Sequence, residues 1–125
     1  MKEQSSTTEA PSAPKLLSQA IISNGFVFVS GQIHSLPDNT LVNGTVKDKV
    51  AQIIKNIETI LKSAHTKLDD VVKVVIYVTD MSQMPELNEA YPVYFTEPYP
   101  VREAVCVQAL PLGASIEISV IATKG

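Results

Sequence analysis

The chain has 125 residues, of which 45% are hydrophobic and 18% are charged. This composition excludes a wholly disordered chain, and the length is that of one compact domain. Ten basic against thirteen acidic residues give a formal net charge of -3. Because no basic run is present to follow a phosphate backbone, nucleic acid is not an expected partner. A membrane is not expected either, since no apolar run approaches the roughly 20 residues that span a bilayer.

Cysteine and histidine are scarce in this sequence. Cys106 is the one cysteine, so no disulfide can form within the chain. We expect Cys106 to pack in the core rather than to act as a nucleophile, since no histidine lies near it in sequence. His34 and His65 are far apart, which argues against a closed zinc site, and we expect both to be solvated.

The first fourteen residues are polar, rich in Ser, Thr and Pro, and without a periodic apolar position. This pattern predicts a flexible tail over residues 1–14, followed by a single domain over residues 15–125. The tail has neither the apolar stretch of a secretory signal nor the arginines of a mitochondrial presequence. We therefore expect a cytoplasmic protein, with mitochondria as the alternative location.

The next segments predict a hairpin and a long helix. Residues 16–22 and 26–30 are short apolar runs, and the Asn24-Gly25 pair between them favours a tight turn. Residues 34–44 have the composition of a loop. Thr45 and Asp48 then form a weak variant of a capping box. Apolar residues recur at helical spacing after it, at Val46, Val50, Ile53, Ile54, Ile57, Ile60 and Leu61.

The second half predicts three more strands and a shorter helix. Residues 69–78 are continuously apolar and β-branched, which is typical of a central strand buried on both faces. Pro85 is suited to open a helix, and Pro92 limits its length. Residues 101–109 and 115–122 read as strands. The inner face of the second helix would comprise Leu87, Ala90, Tyr91, Tyr94 and Phe95.

The predicted order is β-β-α-β-α-β-β, an α+β fold with one mixed sheet. Crossovers between strands are right-handed, so both helices are expected on the same face of that sheet. The other face then lacks cover, and its residues are too apolar to face water. It would present Phe26 and Phe28 or Val27 and Val29, together with Ile116, Ile118 and Val120 or their neighbours. Such a face predicts association with another copy of the chain.

Arg102 is the first candidate for a functional residue, because it is the one arginine beside nine lysines. It follows a proline-rich loop at the start of a predicted strand. Its planar fork of donors matches a carboxylate bidentately, which a lysine cannot do. The alternative is a surface arginine paired with Glu97 or Glu103.

Glu117 is the second candidate, since it lies in a strand between two isoleucines that point the other way. It is either a solvent-facing residue or, where a partner subunit covers that face, a carboxylate with a chemical role. Positioning water and relaying protons are such roles. Ser30-Gly31-Gln32 reads as a strand end whose glycine lets another group approach the backbone. Asn88 reads as a packing or surface residue.

Several segments occur in a characteristic order along the chain. They are Ser18-Gln19-Ala20, residues 26–33, residues 87–91 with Tyr94-Phe95, Pro100-Val101-Arg102, and residues 109–113 with Ile116-Glu117-Ile118. Together they resemble the RidA/YjgF family of reactive-intermediate imine deaminases over residues 16–123, and they look closest to its fungal branch. The resemblance implies a chorismate-mutase-like fold, a homotrimer whose sheets form a central barrel with the helices outside, and ligand clefts between subunits.

The same resemblance implies an activity and a set of site residues. The family hydrolyses enamines and imines released by pyridoxal-phosphate enzymes from serine or threonine, giving 2-oxo acids and ammonia without a cofactor. Arg102 matches the arginine that holds the substrate carboxylate, and Glu117 matches the acid near the imine nitrogen and the attacking water. Ser30, Gly31 and Asn88 match positions that line the cleft. An iminium carbon is already electrophilic, so fixing its carboxylate and presenting a water can suffice.

This sequence departs from the family pattern at several of these positions. Leu17 occupies the place of a common tyrosine, which removes a hydroxyl from the cleft, and His34 stands where a proline is common. Arg102 is followed by Glu103 and Ala104 where the family often has Ser-Cys, and Glu103 adds a negative charge beside the arginine. We still assign Leu17 and Ala104 to the substrate cleft. These departures are more compatible with binding a small 2-imino or 2-oxo carboxylate than with efficient deamination.

Two other classes of function therefore stay open. One is a regulatory trimer that binds a small carboxylate without turning it over. The other is a protein-interaction or chaperone-like role, or the ribonuclease activity sometimes attributed to relatives. The acidic balance of the chain gives no support to the ribonuclease.

Overall fold

Six strands and two α-helices form two layers in the computed structural model, which describes residues 1–124. The strands are β1 (Glu3–Ser5), β2 (Ala20–Ser23), β3 (Phe26–Ile33), β4 (Val71–Val78), β5 (Val101–Cys106) and β6 (Ile116–Thr123), and the helices are α1 (Val46–Ser63) and α2 (Met84–Ala90). The order across the sheet is β1-β2-β3-β6-β4-β5. Neighbouring strands are antiparallel except β4 and β5, which are parallel. The predicted α+β class with a mixed sheet is confirmed.

The long helix α1 begins at the predicted capping box. The Thr45 hydroxyl accepts a hydrogen bond from the Asp48 N–H at 3.1 Å, and the Asp48 carboxylate accepts one from the Thr45 N–H at 3.1 Å. These two bonds satisfy N–H groups that have no partner inside the helix. The apolar side of α1 packs on β3 and β6, and α2 packs against α1. Both helices therefore cover the same face of the sheet, as predicted.

The two faces of the sheet differ in cover. On the helix side, alternate strand residues are buried: Val27, Val29, Val74, Ile76, Val78, Ile116, Ile118, Val120 and Ala122. We call the opposite side the open face. It presents Phe26 and Phe28, which are 41% and 43% exposed, in register with Thr123 and Ile121. The prediction that the β4 segment is buried on both faces is wrong for the single chain, since the open face has no second layer and Val72 is 40% exposed.

The prediction of a flexible tail is also wrong for much of residues 1–14. Residues 3–5 form β1, which pairs with β2. Gln19 is buried, and its amide oxygen accepts a hydrogen bond from the Thr7 N–H at 2.7 Å. Its amide nitrogen donates to the carbonyl oxygens of Thr7, Ala10 and Pro11 at 3.0, 3.2 and 2.8 Å. A buried amide has to satisfy its polar atoms, and here it does so by holding the segment against the sheet.

Three element boundaries differ from the sequence prediction. Residues 16–19 lie outside the sheet, so β2 begins only at Ala20. The helix α2 ends at Ala90, and a separate short 3-10 turn follows at Pro92–Tyr94, where proline cannot continue the α-helical hydrogen bonds. Strand β5 ends at Cys106. Within residues 1–124, no helix combines the length and the hydrophobicity needed to cross a bilayer.

Candidate functional site

A cavity of about 230 Å³ lies beside the end of β3 and the start of β6. We call it the Glu117 cavity. Its walls are largely aliphatic and include residues from the N-terminal segment and from the loop before β6. Those apolar residues are Pro11, Ala13, Leu17, Ile33 and Pro111, and the polar residues include Ser30, Gln32, Asn39 and Glu117. Of the predicted cleft residues, the structure therefore brings Leu17, Ser30, Gly31 and Glu117 together.

The carboxyl group of Glu117 is half-buried on the open face. In the sheet Glu117 is in register with Ile33 of β3 and Tyr77 of β4. Burial raises the pKa of the Glu117 carboxyl above its usual value, because the charged form loses solvation. A carboxyl group with a raised pKa exchanges protons closer to neutral pH than an exposed one.

Gly31 explains how this carboxyl group fits against β3. A Cβ atom added at position 31 would lie 2.9 Å from Glu117 Cδ and 3.3 Å from Glu117 Cγ. The first distance is too short for two carbon atoms, so a side chain at position 31 would require the Glu117 carboxyl group to move. The neighbouring Ser30 hydroxyl donates to the Ser18 carbonyl oxygen at 2.6 Å. The group that approaches the backbone at Gly31 is thus the side chain of Glu117.

Arg102 lies in a different environment, on the edge strand β5. Its guanidinium carbon is 5.0 Å from the centroid of the Tyr91 ring, a distance suited to a cation–π contact. Arg102 and Tyr91 line a surface pocket of about 340 Å³ together with Pro92, Tyr99 and Pro100. We call it the Arg102 pocket. In the described part of the chain Arg102 forms no ion pair with Glu97 or Glu103.

Contrary to the expectation from the sequence, the negative charge of Glu103 does not lie beside Arg102. It is in register with Val75, whereas Arg102 is in register with Val74, and successive residues of a strand point to opposite faces. The Glu103 carboxylate instead lies 3.4 Å from Lys73 Nζ. The arginine is therefore free of this neighbouring negative charge.

The two candidate catalytic residues lie on opposite faces of the sheet. Arg102 shares the helix side with buried Val74, and Glu117 shares the open face with Tyr77. One chain therefore does not bring the two side chains into a common cleft. The other predicted residues, Asn88 on α2 and Ala104 on β5, are exposed and line neither the Glu117 cavity nor the Arg102 pocket.

Two predictions about single residues are wrong. Cys106 is exposed rather than packed in the core, because β5 is at the edge of the sheet and all six of its residues are exposed. His34 is buried, with 1% of its surface exposed, and both of its ring nitrogens are hydrogen-bonded. His65 is exposed, as predicted.

Sequence reasoning missed the contribution of the N-terminal segment to the Glu117 cavity. Residues 11–13 and Pro111 line it, and Tyr91 supports Arg102. The signal for the first group is Gln19, an amide side chain at the start of an apolar run. A polar residue at such a position needs partners, and here they are the backbone of the preceding segment.

These features define a small α+β protein with an open sheet face, an exposed arginine on an edge strand and a half-buried carboxyl group in a cavity. The model of the family described as Endoribonuclease L-PSP matches residues 7–124 of the chain. The chain therefore belongs to this family, which is the RidA/YjgF family that the sequence resembles.

Known relatives match nearly the whole chain. The mitochondrial protein MMF1 of Saccharomyces cerevisiae is 40% identical over 119 residues, which are 95% of this chain and 82% of that protein. The crystal structure of yeast Mmf1 superposes with a TM-score of 0.96 at 38% identity and covers 100% of both chains. The 2-iminobutanoate/2-iminopropanoate deaminase of Rattus norvegicus is 40% identical over 121 residues, 96% of this chain and 88% of the relative.

A solved relative carries a small carboxylate. The structure of TdcF from E. coli with bound serine has a TM-score of 0.89 at 28% identity and covers 98% of this chain and 99% of that one. The match in fold extends to both the β3–β6 region and β5, since it covers nearly every residue. A protein of this fold thus binds an amino acid.

Proposed function

We propose that the protein hydrolyses 2-imino acids and their enamine tautomers to 2-oxo acids and ammonia, in a site that two subunits of a homotrimer share. Arg102 of one subunit binds the substrate carboxylate, and Glu117 of a neighbouring subunit handles the water and the leaving nitrogen. The observation that carries this proposal is the position of the two residues on opposite sheet faces of one chain. A second copy is the simplest way to bring them to one cleft.

The open face supports an assembly of this kind. Phe26, Phe28 and Val105 are each more than 40% exposed, and Val101 is 66% exposed. All four belong to strands, so they form part of a continuous sheet rather than isolated loop positions. Exposed apolar surface of this extent marks an interaction site. The resemblance to the RidA/YjgF family supplies the number three.

The proposed chemistry balances with water as the second reactant. Glu117 takes a proton from water as the oxygen adds to the iminium carbon, which gives a carbinolamine. Glu117 passes this proton to nitrogen, the C–N bond breaks, and the C=O bond forms as Glu117 takes the proton of the hydroxyl group. Ammonia accepts that proton and leaves as ammonium, which restores the carboxylate. A carboxyl group with a raised pKa is suited to accept and return a proton in one cycle. Arg102 would hold the carboxylate so that the iminium carbon faces the water.

Complementation between two inactive variants tests the shared site. Arg102→Ala and Glu117→Gln chains are co-expressed in equal amounts with different tags, and the mixed protein is isolated. Every cyclic trimer that contains both kinds of chain has both residues at one of its three sites, so we expect about a third of the wild-type turnover. Turnover is measured as the shortened lifetime of 2-iminobutanoate, made by a threonine dehydratase and trapped with semicarbazide.

The matched control mixes Arg102→Ala chains with Arg102→Ala/Glu117→Gln chains, which contain no arginine at the site and should stay inactive. Mixed oligomers that show no more activity than this control would contradict a site shared between subunits. Light scattering at micromolar protein concentration tests the assembly separately. A mass equal to one chain of 13.5 kDa would contradict the trimer.

A carboxylate-binding module without turnover is the second candidate function. It is favoured by Leu17, an aliphatic residue that lines the Glu117 cavity and offers no hydroxyl to a substrate. This alternative predicts that the protein binds 2-oxobutanoate in calorimetry and leaves the imine lifetime unchanged. Replacement of Leu17 by tyrosine should then create or increase turnover.

We further propose that the protein acts in the cytoplasm, with mitochondria as the alternative. The relative MMF1 is named mitochondrial, which keeps that alternative open. Cell fractionation with antibodies against the untagged protein would decide between the two compartments.

A further inference from the structure

His34 is buried directly after β3, and its hydrogen bonds fix its tautomer. Its Nε2 atom accepts from the backbone N–H of Ser115 at 3.0 Å. Because a backbone N–H can only donate, Nε2 carries no proton and the proton is on Nδ1, which donates to the Val42 carbonyl oxygen at 2.9 Å. The imidazole is therefore neutral in this arrangement.

Ser115 connects four parts of the chain just before β6. Its amide donates to His34, and its carbonyl oxygen accepts from the Thr79 N–H at 3.1 Å and from Gln83 Nε2 at 3.2 Å. Its hydroxyl oxygen accepts from Lys49 Nζ at 2.9 Å. The short segment from β5 to β6 is thus anchored to the sheet and the helical layer through one residue.

Both ends of the His34–Ser115 hydrogen bond adjoin the Glu117 cavity. Ile33, which precedes His34, lines the cavity and is in register with Glu117. Ser115 is two residues before Glu117 in the chain, and Pro111 in the same loop also lines the cavity. The bond therefore joins the two strand ends between which the carboxyl group lies.

We propose that His34 is a positioning residue for Glu117, and that protonation of its imidazole breaks the hydrogen bond to Ser115, loosens the loop before β6 and lowers turnover as the pH falls. A proton on Nε2 would point at the Ser115 N–H, so two donors would face each other and the hydrogen bond would be lost. The proposal rests on the proposed deaminase function for its effect on turnover. Its effect on the loop does not depend on that function.

The surroundings of the ring set the pH range of this change. Burial lowers the pKa of His34, the Lys49 ammonium on α1 lowers it further, and the hydrogen bond to Val42 opposes both. The loop after β3 and the residue before β6 face the ring with the Val42 carbonyl and the Ser115 amide. Since the folded pKa lies below the ordinary value of about 6.5, the bond is intact above pH 6.5 and is lost as the pH falls through the folded pKa.

Two variants separate the effect of the His34–Ser115 hydrogen bond from the effect of protonating His34. His34→Gln keeps an acceptor near the Nε2 position that does not titrate, and His34→Asn keeps a donor for Val42 but is too short to reach Ser115. We expect His34→Gln to keep turnover within about threefold of wild type at pH 7.5 and to lose the pH dependence caused by His34. His34→Asn should lower kcat about tenfold at pH 7.5, with KM unchanged because carboxylate binding is not involved. The difference from the wild type should shrink at lower pH, as the wild-type imidazole becomes protonated.

A direct measurement on the wild-type protein needs no variant. Hydrogen exchange of the Ser115 amide, corrected for its intrinsic pH dependence, should show protection that falls as the pH is lowered stepwise from 7.5 to about 4. The same loss should occur in Glu117→Gln, which separates it from titration of Glu117. Unchanged protection over this whole range, or a wild-type pH profile in His34→Gln, would overturn the proposal for His34. Absence of imine turnover at every pH, with the pH-dependent exchange present, would instead contradict the deaminase function alone.

Discussion

Arg102 and Glu117 occupy regions of the sheet that differ in burial, pairing and neighbours. Arg102 is on β5, a parallel edge strand whose six residues are all exposed, and an aromatic ring supports its guanidinium. Glu117 is on β6, between β3 and β4, and its side chain lies against the backbone of Gly31. The open edge suits capture of an anion from solvent, whereas the enclosed carboxyl group suits proton transfer. In the proposed function, each chain therefore contributes two half-sites of different character.

The largest expected effect comes from removing the exposed half-site. Arg102→Ala should lower kcat/KM about a hundred- to a thousandfold, because the bound substrate and the transition state both lose a pair of charged donors. Calorimetry with 2-oxobutanoate should show a parallel loss of binding. Arg102→Lys is the matched control. Its kcat/KM should lie between those of the wild type and Arg102→Ala, because lysine keeps the positive charge but lacks the planar pair of donors. Equal affinity for 2-oxobutanoate and its neutral amide in the wild type would remove the role given to Arg102.

A smaller effect is expected at the enclosed half-site. Gly31→Ala should lower kcat about tenfold and leave the Kd for 2-oxobutanoate unchanged, because the added Cβ displaces the Glu117 carboxyl group. The two measurements are steady-state kinetics and calorimetry on the same preparation. In a Glu117→Gln background, the same glycine substitution should add little to the loss of kcat. Independent, additive losses would show that Gly31 acts by another route.

The smallest effect is expected at Tyr91, whose ring lies against the guanidinium group of Arg102. Tyr91→Leu removes the ring that lies 5.0 Å from the Arg102 guanidinium and should weaken 2-oxobutanoate binding about three- to fivefold. Tyr91→Phe keeps the ring and should bind as the wild type does. The Tyr91 hydroxyl is buried without a hydrogen-bond partner in the described residues, so its removal should not lower the melting temperature. Weaker binding in Tyr91→Phe would assign the effect to the hydroxyl instead.

Sequence signals predicted an element well where interactions between residues close in the chain determine it. The spacing of apolar residues and the Thr45–Asp48 box identified α1, and the alternation in the 115–122 segment identified β6. The open face was predicted as a consequence of topology, although the sequence left open whether valines or phenylalanines lay on it. Packing of α1 against one face of the sheet decides that question, since Val27 and Val29 are buried on the helix side and Phe26 and Phe28 are exposed.

The remaining features depend on contacts between distant segments. Residues 1–14 carry no apolar period, and their order comes from the pairing of β1 with β2 and from the side chain of Gln19. Burial of His34 depends on a backbone amide 81 positions away. The opposite orientation of Arg102 and Glu117 follows from the parallel pairing of β5 with β4, and strand parity alone cannot reveal it. The sequence could therefore suggest site residues but not which of them meet in one chain.

The edge position of β5 also bears on how the protein survives in solution. An edge strand with one unpaired side and exposed valines is a template on which other chains can add, which leads to aggregation. Assembly that covers this edge would prevent such strand addition and would also stabilise the folded chain. Resistance to heat and to proteases should then rise with protein concentration, so dilute samples would lose native protein faster than concentrated ones.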